Sequence, residues 1–167
     1  MFNELTQKDI DAMQAEIEHR KLVIRKELLE EVKETRAHGD LSENFEYHAA
    51  KRAKNQNESR IRYLERMIRT AQIISDDSKE DEVGINKIIE LYFEEDDEIE
   101  TYKIVTTVRG NSLAGLVSTE SPIGKAIIGH KVGDRVWVEV NEHTGYFVEI
   151  RSIKEADASV EDKLRSF

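Results

Sequence analysis

Cysteine is absent from the 167-residue sequence, which excludes a disulfide framework and a thiolate metal site. Proline occurs once. Between Thr6 and His38 there is neither proline nor glycine, so no residue that breaks a helix interrupts that stretch. No apolar run approaches the roughly 20 residues that a membrane-spanning helix needs, and 36% of the residues are charged. The chain is therefore too polar for a membrane protein. Its first residues, MFNELTQKDI, have no apolar core preceded by basic residues and do not read as a signal peptide. Together these absences predict a cytoplasmic protein without a membrane partner.

The charge that is present is unevenly spread. Residues 1–75 hold 14 Lys+Arg and 14 Asp+Glu, whereas residues 76–167 hold 11 and 21, which carries the whole net charge of −10. Such a split predicts two units with different partners. The acidic second half suits nucleic-acid phosphate poorly.

Ile10, Met13, Ile17, Ile24 and Leu28 recur at helical spacings. Gly39 interrupts this first helix. A second pattern then runs through Tyr47, Ala50, Lys54, Asn57, Ile61, Leu64, Ile68 and Ala71, alternating steps of 3 and 4. This is a heptad seam. Two such helices joined by a short loop predict an antiparallel hairpin, an arm of about 40 Å at 1.5 Å per residue. Lys54 and Asn57 fall where the seam wants apolar side chains, so the arm should pack less tightly toward its loop. Residues 76–83 are charged and aperiodic and read as a linker. Beyond them INKIIELYF, YKIVTTV, LAGLVST, DRVWVEV and GYFVEIRSI are short segments rich in β-branched and aromatic residues. They predict a small antiparallel sheet, its last two strands joined at 141–144. Ser121 and Pro122 are placed to start a short helix that Gly129 ends. The predicted class is α+β, with a coiled-coil hairpin over 1–75, a linker over 76–83, a β-rich domain over 84–155 and a polar tail over 156–167.

The loop between the helices reads HGDLSENFEYHAAK, residues 38–51. Asp40 and Glu43 have capping-box spacing, and both charges suit the positive end of a helix dipole. A cap is a complete local account of them. It does not account for their place at the end of a long arm. Two carboxylates at i and i+3 share one helix face and could hold one hard divalent cation. Mg²⁺ usually takes only one or two protein carboxylates, so the site would be incomplete, to be finished by something else. His38 reads as a solvated loop residue. Along the second helix Lys51, Arg52, Lys54, Arg60, Arg62, Arg66 and Arg69 face only Glu58 and Glu65. This is either a solvated face paired with the Glu-rich first helix or a basic strip that guides a single strand of nucleic acid by its phosphates. Tyr47 lies in register with the seam, which favours packing over base stacking. Trp137, Tyr146 and Phe147 read as core or sheet-face residues.

GDLSENFEYHAAK (39–51) and SPIGKAIIGHKVGD (121–134) are similar to the signature segments of the bacterial Gre transcript-cleavage factors, GreA/GreB, in the expected order. The resemblance covers nearly the whole chain and is nearer the GreA branch. It implies a C-terminal FKBP-like domain without isomerase activity that binds RNA polymerase at the rim helices. It further implies a coiled coil that enters the polymerase secondary channel and a tip that reaches the RNA 3′ end in a backtracked complex. Asp40 and Glu43 fall on the catalytic acids that help hold a second Mg²⁺, shared with the polymerase and not bound stably by the factor alone. Leu41, Ser42, Asn44, Phe45 and Tyr47 would shape the tip. Lys51, Arg52, Lys54 and Arg60 would follow the RNA, and Ser121, Pro122, Ile123 and Gly124 would meet the polymerase. The factor would be a monomer and a catalytic cofactor of the polymerase's own nuclease, not an enzyme by itself. Phe45 stands where the family more often has a small residue. Some members bind the same channel and inhibit, and they typically depart from the two-acid pattern that this chain keeps.

Overall fold

A computed structural model describes residues 3–39 and 44–166, which form two compact units. The first is a helical hairpin. Helix α1 (Gln7–His19) runs into a π-helical turn (Arg20–Ile24) and then α2 (Arg25–Arg36), and α3 (Phe45–Arg69) returns along them. The short strands β1 (Asn3–Leu5) and β2 (Ala71–Ile73) pair at the base. There the Asn3 N–H donates to the Thr70 carbonyl (3.3 Å) and the Ile74 N–H to that of Leu5 (2.8 Å). At 1.5 Å per residue α3 is about 37 Å long.

The first helix differs from the expected continuous α-helix at its π-turn. There the Arg25 N–H reaches back five residues to the Arg20 carbonyl. The wider turn lies opposite Asn57, the polar residue in the middle of the seam. Asn57 is buried, accepting from Arg20 Nη1 (2.9 Å) and donating toward the Arg20 carbonyl (3.5 Å). Burying an amide in a helix interface is tolerated only when its polar atoms are paired, and the π-turn supplies the partners.

Apolar burial is concentrated on the base side of Asn57, in Ile10, Met13, Ile61, Leu64 and Met67. Toward the loop, Ala50 and Thr35 are the buried described residues, and Lys54 is half-buried. The looser packing expected there is present. The seam drifts at its end: Met67 is buried in place of Ile68, and Ala71 belongs to β2, not to the helix.

The second unit is a five-stranded sheet in the order β5-β4-β3-β7-β6, formed by β3 (Lys87–Phe93), β4 (Glu98–Val105), β5 (Leu116–Ser118), β6 (Arg135–Asn141) and β7 (Thr144–Glu155). Each predicted strand segment overlaps one of them, although β4 begins four residues before its segment and β7 runs past both ends of its own. The sheet is mixed and not wholly antiparallel as expected, because β5 pairs parallel to β4 (Ile104 opposite Val117) after a crossover through two short 3₁₀ turns. Alternation sends Ile89 and Leu91 of β3 and Val148 and Ile150 of β7 to one face, where they pack with Val138 and with Ile127 of α4 (Pro122–Ile127). The β6–β7 connection is tight, with Asn141 Oδ1 accepting from the His143 N–H (2.9 Å).

The charged segment 76–83 is folded against this unit. Val83 is fully buried in the core. Lys87, only 1% exposed, donates through Nζ to the carbonyls of Lys79 (2.6 Å) and Glu82 (2.8 Å). Asp76 Oδ1 accepts from the Ser78 hydroxyl and N–H at 2.6 and 3.1 Å. These side chains crowd Gly84, where an added Cβ would lie 2.0 Å from Ser78 Oγ. The segment is polar because it forms a hydrogen-bonded loop around a buried ammonium group.

Candidate functional site at the end of the hairpin

The stem holding the loop is fastened by charge as well as by its seam. Glu16 on α1 accepts from Arg20 Nε (2.8 Å) on its own strand of the hairpin and from Arg60 Nε (2.8 Å) and Nη2 (3.2 Å) on α3. Burial by itself would raise the Glu16 carboxyl pKa. The hydrogen bonds and charges of Arg60 and Arg20 outweigh it and hold the group below its ordinary value. One turn further, Arg25 clamps Glu58 bidentately at 2.7 and 2.8 Å. That hydrogen-bonded pair lowers the Glu58 carboxyl and raises the guanidinium. Lys21 meets Glu65 at 2.6 Å.

At the loop end, α2 closes with the Ala37 and His38 N–H groups donating to the carbonyls of Glu34 and Thr35. Gly39 then adopts φ +125°, a region that side-chain-bearing residues avoid. Helix α3 begins at Phe45 with Asn44 as its N-cap, and Asn44 Oδ1 accepts from the Tyr47 N–H (3.0 Å). The cap expected at Asp40 is thus made by Asn44, and the first helical turn starts after both acids. Asparagine caps as well as aspartate and has an amide donor besides, which here goes to the Thr35 carbonyl (2.6 Å). One side chain therefore joins the start of α3 to the end of α2. Asp40, Leu41, Ser42 and Glu43 themselves lie outside the described residues.

Around the loop, Phe45 is 85% exposed, Tyr47 is half-buried with its ring edge-on to His48 (5.4 Å), and His38 Nδ1 lies 3.4 Å from Glu46. The basic strip is narrower than the sequence suggests. Lys51 and Arg52 are exposed and Lys54 is half-buried. Arg60 is buried and engaged with Glu16, so it does not belong to an exposed strip; it fastens the stem. Sequence reasoning missed Thr35, although it stands seven residues after Leu28, one heptad further along the first helix.

Among the described residues no group of three His, Asp or Glu side chains could hold a metal ion. Asp40 and Glu43 remain the candidate ligands. Two hard carboxylates match Mg²⁺ in kind, and they match it as part of a shared site and not a whole one.

The segment Ser121–Gly124 opens α4. Ser121 Oγ accepts from the Gly124 N–H (3.1 Å), and Pro122 takes the first helical position, as expected. Pro122 is exposed, Ser121 and Ile123 are half-buried, and Ile127 is fully buried. Gly124 is buried, and a Cβ there would lie 2.0 Å from the Ser118 carbonyl oxygen. Its lack of a side chain lets the helix approach β5. Trp137 is 48% exposed on the sheet face, edge-on to Phe147 at 4.9 Å, while Tyr146 packs against the core.

Residues 3–73 match the family model described as the N-terminal part of a transcription elongation factor, and residues 77–155 the GreA/GreB C-terminal part. The chain is 42% identical over 149 residues to transcription elongation factor GreA of Macrococcus caseolyticus, covering 87% of this chain and 94% of that one. It is 43% identical over 136 residues to the GreA of Streptococcus pneumoniae, covering 81% and 85%. Among solved structures, the GreA factor homolog 1 of Thermus thermophilus aligns over 92% of this chain and 99% of its own, with 24% identity and a TM-score of 0.43. Matched over 3–73 and 77–155, the chain belongs to the GreA/GreB family of transcription elongation factors.

Proposed function

We propose that this chain binds bacterial RNA polymerase through its C-terminal unit, enters the secondary channel with its helical hairpin, and stimulates cleavage of the nascent transcript in backtracked complexes. The observation that carries this reading is the stem. The helix ends that flank residues 40–43 in the chain are tied by Asn44 and Thr35, on a hairpin fastened by Arg60–Glu16 and Arg25–Glu58. Such a mounting suits carboxylates that must arrive at a fixed place in another protein's active centre.

Asp40 and Glu43 would hold a Mg²⁺ ion jointly with polymerase carboxylates. When bound, that ion supplies charge neutralisation at the phosphate and a lowered pKa for an attacking water. The chain's own part is to bring two negative charges and hydrogen-bond acceptors to the RNA 3′ end and to orient the water by accepting from it. Lys51 and Arg52, exposed on α3, would meet RNA phosphates. The protein acts as a cytoplasmic monomer and as a cofactor of the polymerase nuclease. No described helix is long and apolar enough to cross a membrane.

Halted, backtracked polymerase with Mg²⁺ tests this. Added protein should shorten the transcript from its 3′ end and leave free RNA untouched. The Asp40→Ala, Glu43→Ala double variant should bind yet not cleave; full cleavage by it would sink the role of the acids. A second reading, channel binding that slows nucleotide addition without cleavage, is favoured by Phe45, whose exposed ring stands at the start of α3 beside the acid loop. The same assay separates the two.

A further inference from the structure

Residues 156–166 lie beyond the segment that matches the family model, which ends at 155. By composition they are a polar tail. They have no regular secondary structure, yet they are bound to the sheet. Lys103 on β4 meets Asp162 at 2.6 Å, with side chains only 13% and 15% exposed. The buried Arg109 guanidinium donates to the Asp162 carbonyl and lies 3.4 Å from Glu161. The Arg165 N–H donates to the Val108 carbonyl (2.7 Å), and the Ala156 N–H to that of Asn86 (3.2 Å). Ion pairs sheltered from water are screened less by salt than exposed ones, so these ties are not incidental surface contacts.

The end of the tail, Lys163–Ser166, forms part of the wall of an open cleft of about 820 Å³. Asn111, Leu116, Ser118 and Ser121 are among the residues that complete it. Ser121 is the first residue of the loop and helix assigned above to the polymerase, so the cleft is continuous with that surface. Its charge is opposite to its surroundings. Residues 76–167 carry 21 acids against 11 bases, but among the described residues the cleft is lined by Lys163, Arg165 and Arg109, the last already facing Glu161, and by no aspartate or glutamate side chain.

We infer that the tail builds a second docking surface, a cationic cleft beside Ser121 that receives an acidic segment of the polymerase. This rests on the reading of the chain as a polymerase-bound factor. A protein carboxylate fits better than a nucleic-acid backbone for two reasons. The cleft adjoins the loop assigned to protein contact, and the acidic domain around it repels a long polyanion. Opposite charge at the rim of an interface acts mainly on association rate and on salt dependence.

The test compares the parent with two variants, a chain ending at Glu155 and the K163E/R165E double variant, for affinity to core RNA polymerase at low and high salt. The double variant keeps the backbone and Asp162 anchors, so it reports on the cleft even if the truncated chain folds poorly. Roughly tenfold weaker binding at low salt, with a shallower salt dependence, is the expected result for it. Variants that bind within twofold of the parent overturn the inference, as does tighter binding by the truncated chain, which would make the tail a cover. A matching loss of affinity for a single-stranded oligonucleotide without polymerase would overturn it in favour of a nucleic-acid partner. If the parent itself fails to bind polymerase, the functional reading falls too; if only the variants fail to differ, this inference alone does.

Discussion

The side-chain amide of Asn44 donates to the backbone carbonyl of Thr35 at 2.6 Å while its oxygen caps α3 at the Tyr47 N–H. Each half of the amide serves a different helix. Thr35 is itself fixed, buried with its hydroxyl donating to the Glu31 carbonyl (2.8 Å). Asn44→Asp should keep the cap and lose the tie, whereas Asn44→Ala loses both. An N-cap deletion costs about 1 kcal/mol, and the lost tie removes one of the two donors to the Thr35 carbonyl, leaving it only the His38 N–H at 3.2 Å. Amide hydrogen exchange at Ala37, His38 and Tyr47 should therefore be fastest in Asn44→Ala. In Asn44→Asp, Tyr47 should stay protected while the end of α2 opens. Equal protection in both variants would refute the division of labour.

Much of the hairpin was legible because a seam is a repetition, and repetition survives without knowledge of the partner. The strands and the Ser121 cap were legible for a similar reason, since alternation and cap chemistry are local. Three features were not. The π-turn answers a buried amide 37 residues away, and Arg60 is buried because Glu16 faces it from the other helix. The parallel pairing of β5 depends on a crossover that leaves no mark on a three-residue strand. Each is set by a partner distant in sequence, and a charge count on one helix cannot separate a solvated arginine from a paired one. At the tip, the residue types were legible and the cap was misplaced, because Asp40 and Asn44 are both good caps and only the described fold chooses between them.

The charged clasp makes the hairpin sensitive to acid. Glu16 and Glu58 are held below their ordinary pKa in the folded chain by arginine hydrogen bonds. A depressed carboxylate contributes stability above its unfolded pKa and loses it as pH falls through the folded value. The helical signal of the hairpin should thus melt at progressively lower temperature as pH drops below the ordinary glutamate range. Glu16→Gln should flatten part of that slope. A slope identical to that of the parent would show that this carboxylate is not coupled to folding.

Gly124 supports the loop at Ser121 by what it lacks. A methyl group there would lie 2.0 Å from the Ser118 carbonyl oxygen, an atom of the backbone that cannot swing aside. Gly124→Ala should lower the thermal midpoint of the C-terminal unit and weaken polymerase binding by displacing α4 from β5. The expected cost is about 1–3 kcal/mol, the usual penalty for overpacking. Gly129→Ala makes a useful comparison, because nothing lies within 4 Å of a Cβ there and its penalty comes only from φ +80°. If Gly124→Ala leaves both the thermal midpoint and polymerase binding unchanged, the close approach to Ser118 is not what position 124 requires.

Lys87 organises the segment that the sequence presents as a plain linker. Its ammonium group sits among the carbonyls of Lys79 and Glu82 at 2.6 and 2.8 Å, with Glu155 3.8 Å away. Lys87→Met keeps the length and apolar stem of the side chain but removes the donors, leaving two carbonyls of the loop without them. A hydrogen bond to a charged group contributes about 1.5–3 kcal/mol, enough to shift the loop toward local opening while the sheet stays folded. Limited proteolysis should then cut between 76 and 82 faster than in the parent, with little change in global unfolding. If cleavage is unaltered, the loop is held by Val83 in the core and by Asp76–Ser78, and the buried ammonium is not its anchor. If both cleavage and unfolding accelerate together, the segment unfolds with the sheet and is part of that unit in energy as well as in position.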